Sequence, residues 1–356
     1  MLKVIKPGLL STLQDKGRVG YQKFGVVTNG AMDPLAHRLA NILVGNQENE
    51  ATLECTMVGP VVHFESDTLI SICGAEMTPT INGVPVKLWR PVLVYGGSVL
   101  KFGHAEKGCR AYLAVAGGYH IQSVMESKST YLRAKFGGYH GRTLQSGDIL
   151  KFGEMSELSQ KIFMYLDKST KESPASFSAA TWSVSQNAIP FYKKNPLVRI
   201  IGGRQFHLFS EESKNDFLQS SYKITSQSDR MGYRLNGPLL KLETGREMLS
   251  EAVSFGTVQV PADGQPIILM ADRQTTGGYP KIAQIITVDL PAIAQASPNE
   301  EITFLEISHQ EAEQLLITQE ETIAELKQGV LQPFLNGKAY SFRRGMKVKS
   351  NTECHW

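Results

Sequence analysis

Short apolar runs separated by Gly, Pro and Asn make up most of this 356-residue chain. Runs such as LISIC, AYLAVAGG, LVRIIGG and IAQIITV have the length and spacing of β-strands. Three segments show helical spacing instead, and they are Asp33 to Gly45, Glu211 to Ser221 and Ser308 to Gly329. Asp33 before Pro34 is a typical helix start, and Ser308 followed by Glu311 forms a capping box. The pattern predicts a mainly β protein with a few helices.

Similar residues recur in the same order in the two halves of the chain. Each half has an R-x-G-Y motif, then Asn-Gly, then a glutamate, then a Gly or Ala at the end of a strand-like run. The marker residues are Arg18, Tyr21, Asn29, Glu54 and Gly74 in the first half, and Arg230, Tyr233, Asn236, Glu251 and Ala271 in the second. The repeat predicts two related β-rich domains in tandem, which suits the length of the chain.

Changes in composition mark the boundaries of these predicted domains. We expect a first domain over residues 1–153 and a second over residues 196–308. Between them, residues 154–195 are rich in Ser, Thr and Lys without a sustained period, which is typical of a linker. Residues 309–356 form a helical segment and a basic tail.

Composition excludes several functional classes. The net charge of +3 comes from scattered basic residues, so we expect no nucleic-acid binding. The chain has no run of eighteen apolar residues and no signal-peptide pattern, which predicts a cytoplasmic protein without a membrane association. Four separated cysteines and dispersed histidines give no metal-ligand spacing, so we expect no metal site.

The stretch ADRQTTGGYPK joins two predicted strands through nine residues, from Asp272 to Pro280. A hairpin that only reverses the chain needs about two to five residues. In this loop Arg273 offers a planar fork for a carboxylate, hydroxyl and amide groups can orient an amide or ureido ligand, and two glycines allow positive φ and close backbone approach. The candidate substrate-binding residues of the loop are Asp272, Arg273, Gln274, Thr275, Thr276, Gly277, Gly278 and Tyr279. The alternative is an internally satisfied loop in which Asp272 pairs with Arg273 or Arg230.

A second polar segment, Gly117 to Asp148, contains two GGYH blocks and many hydrogen-bond donors. It fits either a pair of β-turns or a cover over an active site or partner surface. Neither a G-x-S-x-G elbow nor a G-x-x-x-x-G-K-[ST] phosphate loop occurs, so the catalytic residues stay unknown and ATP binding by a motif of this chain is not expected.

Several of these stretches carry a family resemblance. SDRMGYRLNGP, ADRQTTGGYPKI and TLQDKGRVGYQ resemble the family of the C subunit of 5-oxoprolinase, also known as the Kip antagonist or biotin-dependent carboxyltransferase/allophanate hydrolase subunit 2 family. The resemblance covers residues 1–308 and departs at IIGGRQ, where relatives commonly have a Pro-Gly-Pro turn. It implies two tandem cyclophilin-like β-barrel domains. It also implies a hetero-oligomer with the A subunit and a protein like the B subunit, and this complex uses ATP to cleave 5-oxo-L-proline to L-glutamate.

On this hypothesis two groups of side chains bind different parts of the substrate. Tyr21, Arg230, Tyr233 and Glu251 would position the lactam. The loop residues Asp272, Arg273, Gln274 and Thr276 would hold its carboxylate or an activated carbonyl. The alternatives are a regulatory binder of the Kip inhibitor, a protein like the B subunit that inhibits a sporulation histidine kinase, and a carboxyltransferase/allophanate hydrolase component of the urea amidolyase type. Biotin enters only in the carboxyltransferase alternative.

Overall fold

The computed structural model describes residues 1–168, 176–189, 192–243 and 248–335. Its α-helices are α1 (Pro34–Leu43), α2 (Glu157–Lys168), α3 (Glu211–Gln219), α4 (Leu290–Gln295) and α5 (His309–Leu335). The three predicted helices are therefore confirmed as α1, α3 and α5. At the start of α1 the Asp33 carboxylate accepts a hydrogen bond from the Ala36 amide, and at the start of α5 Ser308 and Glu311 form the expected capping box.

The first half of the chain forms two six-stranded antiparallel sheets. Their strand orders are β11-β1-β4-β9-β6-β7 and β12-β8-β5-β10-β3-β2. The strands are β1 (Leu2–Lys6), β2 (Leu10–Gln14), β3 (Thr52–Thr56), β4 (Val61–Phe64), β5 (Thr68–Glu76), β6 (Thr80–Ile81), β7 (Val84–Pro85), β8 (Pro91–Val94), β9 (Val99–Lys101), β10 (Lys107–Val115), β11 (Ile149–Leu150) and β12 (Phe177–Ala179).

Two apolar layers stabilise this half. One lies between the sheets and includes Val62 and Phe64 from the first sheet and Leu53 from the second. The other lies between the outer face of the second sheet and helices α1, α2 and α5. Since β5 and β10 are covered on both faces, most of their consecutive residues are buried and mainly apolar, without a strict alternation.

The second half forms a closed seven-stranded barrel in the order β13-β20-β17-β18-β15-β14-β21. A two-stranded ribbon, β16-β19, stands beside it. The strands are β13 (Leu197–Gly202), β14 (Tyr222–Ile224), β15 (Gly232–Asn236), β16 (Glu251–Ala252), β17 (Thr257–Gln259), β18 (Ile267–Leu269), β19 (Thr276–Gly277), β20 (Lys281–Ile285) and β21 (Glu301–Glu306). Helix α3 adds Phe217 to the barrel core, where its ring stacks on Phe304 at 4.5 Å between centroids.

The mainly β fold class is confirmed, with two differences in detail. In the segment predicted as a linker, α2 packs on the first half, and β12 pairs with β8 as an edge strand of the second sheet. The two R-x-G-Y motifs also differ in local structure, because Arg18 to Tyr21 lies outside regular elements whereas Gly232 and Tyr233 begin β15. The basic tail beyond residue 335 lies outside the described residues.

The two halves meet through buried polar contacts. Gln295, at the end of α4, accepts hydrogen bonds from the Cys109 and Arg110 amides at 2.8 Å each and donates to the Asp33 carboxylate at 2.9 Å. Met32 of the first half packs into the core of the barrel. The junction is therefore a continuous interior in which buried polar groups have partners from both halves.

Candidate functional site

Arg230 lies at the centre of the junction, with only 6 % of its surface exposed. Its Nε and Nη2 atoms donate to the two carboxylate oxygens of Asp272 at 3.0 and 2.9 Å. Its Nη1 atom donates to the Glu54 carboxylate on β3 of the first half, and Nη2 also donates to the Gly30 carbonyl at 2.6 Å. One guanidinium therefore joins two carboxylates from different halves of the chain.

Glu54 is fully engaged in this cluster. Its second oxygen accepts hydrogen bonds from the Met32 amide and the Tyr112 hydroxyl, both at 2.8 Å. Burial alone would lower the pKa of Arg230, but the nearby Asp272 and Glu54 carboxylates raise it above its usual value. The guanidinium is therefore charged, as two buried carboxylates require.

Asp272 has a further contact with the first half. The Asn29 amide donates to Asp272 Oδ1 at 2.9 Å, and Arg18 Nη1 donates to Asn29 Oδ1 at 3.0 Å. Arg18 is fully buried, and its guanidinium lies 4.7 Å from the centroid of the Phe136 ring. Burial lowers the pKa of Arg18. The arginines of both R-x-G-Y motifs thus converge on Asp272, one directly and one through Asn29.

Tyr233 belongs to a neighbouring part of the junction. Its hydroxyl accepts a hydrogen bond from Arg110 Nη1 at 2.7 Å, and the same nitrogen donates to the Ala294 carbonyl. Burial raises the pKa of Tyr233 to about 12, so the phenol is neutral. Since both groups are buried, this pair connects the two halves of the chain.

Arg273 differs from the other arginines of the site. It is 8 % exposed, yet no carboxylate oxygen of the described residues lies within 4.0 Å of its nitrogens. Its Nε and Nη1 atoms make only long contacts of 3.4 Å to the carbonyls of Val253 and Met270, and Phe255 lies beneath the guanidinium. Burial lowers its pKa to about 10. A largely buried cation with such weak contacts is suited to receive an anion.

The remainder of the predicted loop is more ordered than a simple turn. Thr276 and Gly277 form β19, which pairs with Glu251 and Ala252 of β16. Neither Gly277 nor Gly278 has a positive φ, which corrects the reason expected for these glycines. A Cβ atom at Gly277 would lie 2.4 Å from the side-chain nitrogen Nε2 of Gln259, so a larger residue there would require the Gln259 side chain to move.

The other candidates of the loop lie around this ribbon. The Thr275 carbonyl accepts a hydrogen bond from the Val253 amide at 3.2 Å, and Gln274 is partly buried beside it. Gly278 and the half-exposed Tyr279 line an apolar cavity of about 500 Å³ on the barrel surface. The loop therefore has two sides, one at the junction and one at this cavity.

Two sequence candidates lie outside the Arg230 cluster. The Glu251 carboxylate pairs with Lys281 at 2.9 Å and Arg204 at 3.0 Å, and the Lys281 hydrogen bond lowers its pKa. Tyr21 precedes the 3₁₀ turn Gln22–Phe24, in an exposed segment of the first half. Among the described residues, neither side chain makes a hydrogen bond to Arg230 or Asp272.

Sequence reasoning does not identify several members of the cluster as site residues. Arg18, Asn29 and Glu54 stand out in the sequence only as markers of the repeat. A signal is nevertheless present, because a glutamate inside the apolar strand TLECT must have a buried partner. In the described part of the chain, no group of three His, Cys, Asp or Glu side chains could hold a metal ion, and no helix is long and apolar enough to cross a membrane.

Comparison with known proteins identifies relatives of two kinds. The chain is 38 % identical to the C subunit of 5-oxoprolinase from Haemophilus influenzae over 315 residues, which cover 88 % of this chain and 94 % of the relative. It is also 38 % identical to the C subunit of 5-oxoprolinase from Escherichia coli over 312 residues, or 88 % of this chain and 93 % of the relative. The urea amidolyase of Lachancea kluyveri is 32 % identical over 345 residues, but the match spans 93 % of this chain and only 18 % of that larger protein.

Solved structures agree with these relatives. The urea amidolyase of K. lactis superposes with a TM-score of 0.81 at 29 % identity, covering 91 % of this chain and 20 % of that one. The Kluyveromyces lactis urea carboxylase gives the same TM-score at 28 % identity, covering 92 % and 29 %. The model of the carboxyltransferase domain, subdomain A and B, matches residues 24–306. The resemblance found in the sequence is confirmed, and the chain belongs to the carboxyltransferase subdomain A and B family.

Proposed function

We propose that this chain is one component of an ATP-dependent 5-oxoprolinase that converts 5-oxo-L-proline to L-glutamate. The observation that carries the proposal is its 38 % identity to the C subunits of two 5-oxoprolinases, over almost their whole length. Since both relatives are named as one part of a larger enzyme, we propose a hetero-oligomer with the A subunit and a protein like the B subunit. In this proposal the complex uses ATP, and we assign no residue of this chain to ATP binding.

The reaction opens a stable amide. Water adds its oxygen to the lactam carbonyl carbon, the carbon–nitrogen bond breaks, and the products are the γ-carboxylate and the α-amino group of glutamate. A resonance-stabilised lactam reacts slowly unless its carbonyl is activated and held in place. The substrate also has its own carboxylate, so a binding site needs a cation for that group and polar groups near the ring.

Arg273 is the group we assign to the substrate carboxylate. It is a largely buried guanidinium with two long contacts to carbonyl oxygens and no ion pair among the described residues. A bidentate contact with a carboxylate would satisfy donors that the protein leaves weakly bonded. Gln274, Thr275 and Thr276 follow it in the chain and would contact the rest of the ligand.

Asp272 is the group we assign to the lactam. It follows β18 directly before Arg273, so the two side chains share one turn. Arg230, which is itself bound to Glu54, and Asn29 hold the Asp272 carboxylate in a fixed orientation through their hydrogen bonds. A fixed carboxylate can accept the lactam N–H or order a water molecule. Arg230 and Tyr233, expected from the sequence to touch the lactam, act instead by holding neighbouring groups, because protein atoms occupy their donors and acceptors.

The test is reconstitution with the partner proteins. The purified chain, a protein like the B subunit and a protein like the A subunit are mixed, and glutamate formation from 5-oxoproline is followed with and without ATP. We expect glutamate only when all three proteins and ATP are present. A complex that assembles but forms no glutamate would refute the proposal.

A carboxyltransferase is the second candidate, favoured by the match to urea amidolyases across 93 % of this chain. In that case the ligand would be a carboxylated biotin or urea, and the same reconstituted mixture would turn over a biotin carboxyl donor in place of 5-oxoproline. The regulatory role as a binder of a Kip-type inhibitor stays a prediction. Both kinds of role need the same partner surface, so binding alone does not separate them, and loop variants that keep partner binding but lose turnover would support an enzyme.

A further inference from the structure

The glycine-rich segment of residues 117–148 covers the free edge of β2. The Thr130 amide donates to the Leu13 carbonyl at 2.9 Å, and the Leu144 amide donates to the Ser11 carbonyl at 3.0 Å. An irregular segment thus occupies the position of a further strand at an edge that would otherwise expose unpaired backbone groups. Gly117, Gly118, Gly137 and Gly138 all have positive φ, as the interpretation as β-turns requires, and the segment as a whole also covers this sheet edge.

Asp15, which follows β2, attaches this segment to the rest of the first half. Its side chain is buried, and one carboxylate oxygen accepts hydrogen bonds from the hydroxyls of Ser127 and Ser129 at 2.7 and 2.5 Å and from the Gly17 amide at 2.8 Å. The other oxygen accepts from the Lys128 amide at 2.5 Å. The Gly17 and Lys128 amides can only donate, one to each carboxylate oxygen, so both positions require an acceptor.

Ser129 connects Asp15 to the candidate site. While its hydroxyl binds Asp15, its carbonyl accepts a hydrogen bond from Arg18 Nη2 at 2.5 Å. Arg18 holds Asn29, which in turn donates to Asp272. Gly137 allows the close packing around this bond, since a Cβ atom there would lie 2.1 Å from Arg18 Nη2 and its φ is +70°.

We propose that Asp15 is a positioning residue that sets the orientation of Asp272 through Ser129, Arg18 and Asn29. This inference rests on the proposed function, in which Asp272 contacts the lactam. Asp15 itself touches no ligand. Its carboxylate fixes the Ser129 carbonyl, and the carbonyl determines which way the buried Arg18 guanidinium points. Rotation of Arg18 would release Asn29 and leave Asp272 held from one side only, by Arg230.

The experiment compares Asp15→Asn with Asp148→Asn in the reconstituted complex. Asp148 is a matched control, because its carboxylate also joins parts of the same segment, accepting from Arg142 at 2.7 and 2.8 Å and from the Gln145 amide at 2.7 Å, without contacting Ser129 or Arg18. In D15N the side-chain NH₂ group would face the backbone N–H of Gly17 or that of Lys128, and both of these groups can only donate. We expect kcat for 5-oxoproline to fall about tenfold with KM changed less than about twofold, and D148N to retain the wild-type kcat.

A double-mutant cycle tests the route. Arg18→Lys removes the planar fork, so in that background D15N should change kcat by less than about twofold. An equal fold-loss of kcat from D15N in the wild-type and R18K backgrounds would overturn the inference, as would an equal loss in D15N and D148N. If D15N does not fold, Ser129→Ala replaces it, since this variant removes the two hydrogen bonds between the Ser129 hydroxyl and Asp15 and keeps the Ser129 carbonyl.

A second measurement is independent of turnover. The Met32 amide donates to Glu54, so hydrogen–deuterium exchange in residues 28–32 reports the order of the cluster around Asn29. We expect faster exchange there in D15N and wild-type exchange in D148N. Absence of turnover by the wild-type complex would refute the proposed function, and the exchange comparison would then decide the role of Asp15. Unchanged exchange in D15N would refute that role.

Discussion

Arg230 and Arg273 are two buried arginines of the same half, and their surroundings are opposite. Arg230 has two carboxylates and a backbone carbonyl as partners. Arg273 has no carboxylate partner among the described residues and has two carbonyl contacts of 3.4 Å. The neighbouring carboxylates raise the pKa of Arg230, whereas burial lowers that of Arg273 to about 10. Arg230 is paired within the protein, and Arg273 is the arginine that we propose binds a carboxylate of the ligand.

The two arginines represent two uses of a buried guanidinium, pairing within the protein for Arg230 and the proposed ligand binding for Arg273. A buried ion pair adds little net stability compared with apolar packing, but removing one partner leaves an uncompensated charge. A buried cation without a counter-ion lowers stability in the absence of a ligand, and such an arrangement is common at binding sites. Replacing each arginine by the same apolar residue should therefore have opposite effects on stability, although both replacements should reduce turnover.

Arg230→Met should produce the largest loss of stability. It leaves Glu54 and Asp272 buried without their common cation, and breaking a buried ion pair in this way costs about 3 to 5 kcal/mol. We expect a corresponding fall in the free energy of unfolding, measured by urea denaturation, together with loss of turnover. A variant with wild-type stability would show that Glu54 and Asp272 do not depend on Arg230, and the structural half of the comparison would be wrong.

Arg273→Met should reduce turnover without reducing stability. Loss of a charge-assisted contact to the substrate carboxylate would remove about 1.5 to 3 kcal/mol of transition-state binding, or at least about tenfold in kcat/KM. The free energy of unfolding should stay the same or rise, because a buried charge that has no carboxylate partner among the described residues is replaced by an apolar chain. Arg273→Lys should restore turnover only in part, since an ammonium lacks the planar fork.

The measurement for Arg273 is kcat/KM and urea stability on the same protein samples. Full activity in R273M, or a loss that follows a fall in stability, would show that Arg273 has a structural role.

A polar loop of this kind is ordinarily exposed to solvent, but Arg273 is largely buried. The burial of Arg273 strengthens the expected effect on binding, because charge pairing is stronger away from water.

Much of the fold could be predicted from local pattern. The mainly apolar runs of β5 and β10 are recognisable because both faces of these strands are buried. The start of α1 is recognisable because Asp33 caps it through its own side chain. Strand order and barrel closure are not accessible from the residues alone, since antiparallel strands of similar composition can pair in many orders.

The candidate site is predictable only in its local part. Asp272 and Arg273 stand in one unusual polar stretch, so the sequence indicates them, and pairing of Asp272 with Arg230 is one of the alternatives that it leaves open. The contact of Arg230 with Glu54 spans 176 positions in the chain and leaves no local signature. The burial of Arg273 depends on Phe255 and Val253 from a neighbouring element, which periodicity does not reveal.

Tyr233→Phe should have a smaller effect than either arginine replacement. It removes the hydroxyl that accepts from Arg110, and loss of a hydrogen bond to a buried charged group costs about 1.5 kcal/mol. Because Tyr233 connects the halves without touching the proposed ligand, kcat/KM should change by less than about threefold. Urea denaturation measures the stability cost, and steady-state kinetics measure the change in kcat/KM. A large loss of turnover at wild-type stability would indicate that Tyr233 contacts the substrate.

Glu251→Gln should have the smallest effect, although Glu251 occupies the place in the second half that Glu54 occupies in the first. Its carboxylate is partly exposed and binds Lys281 and Arg204, both within the second half. Water can replace such partners, so a surface pair contributes little. We expect kcat/KM within about twofold of the wild type and an unchanged urea midpoint, whereas Glu54→Gln, which removes the charge that faces buried Arg230, should lower both. If E251Q reduced turnover as strongly as E54Q, the β16-β19 ribbon would belong to the active site, and the distinction between buried support and exposed surface would not hold.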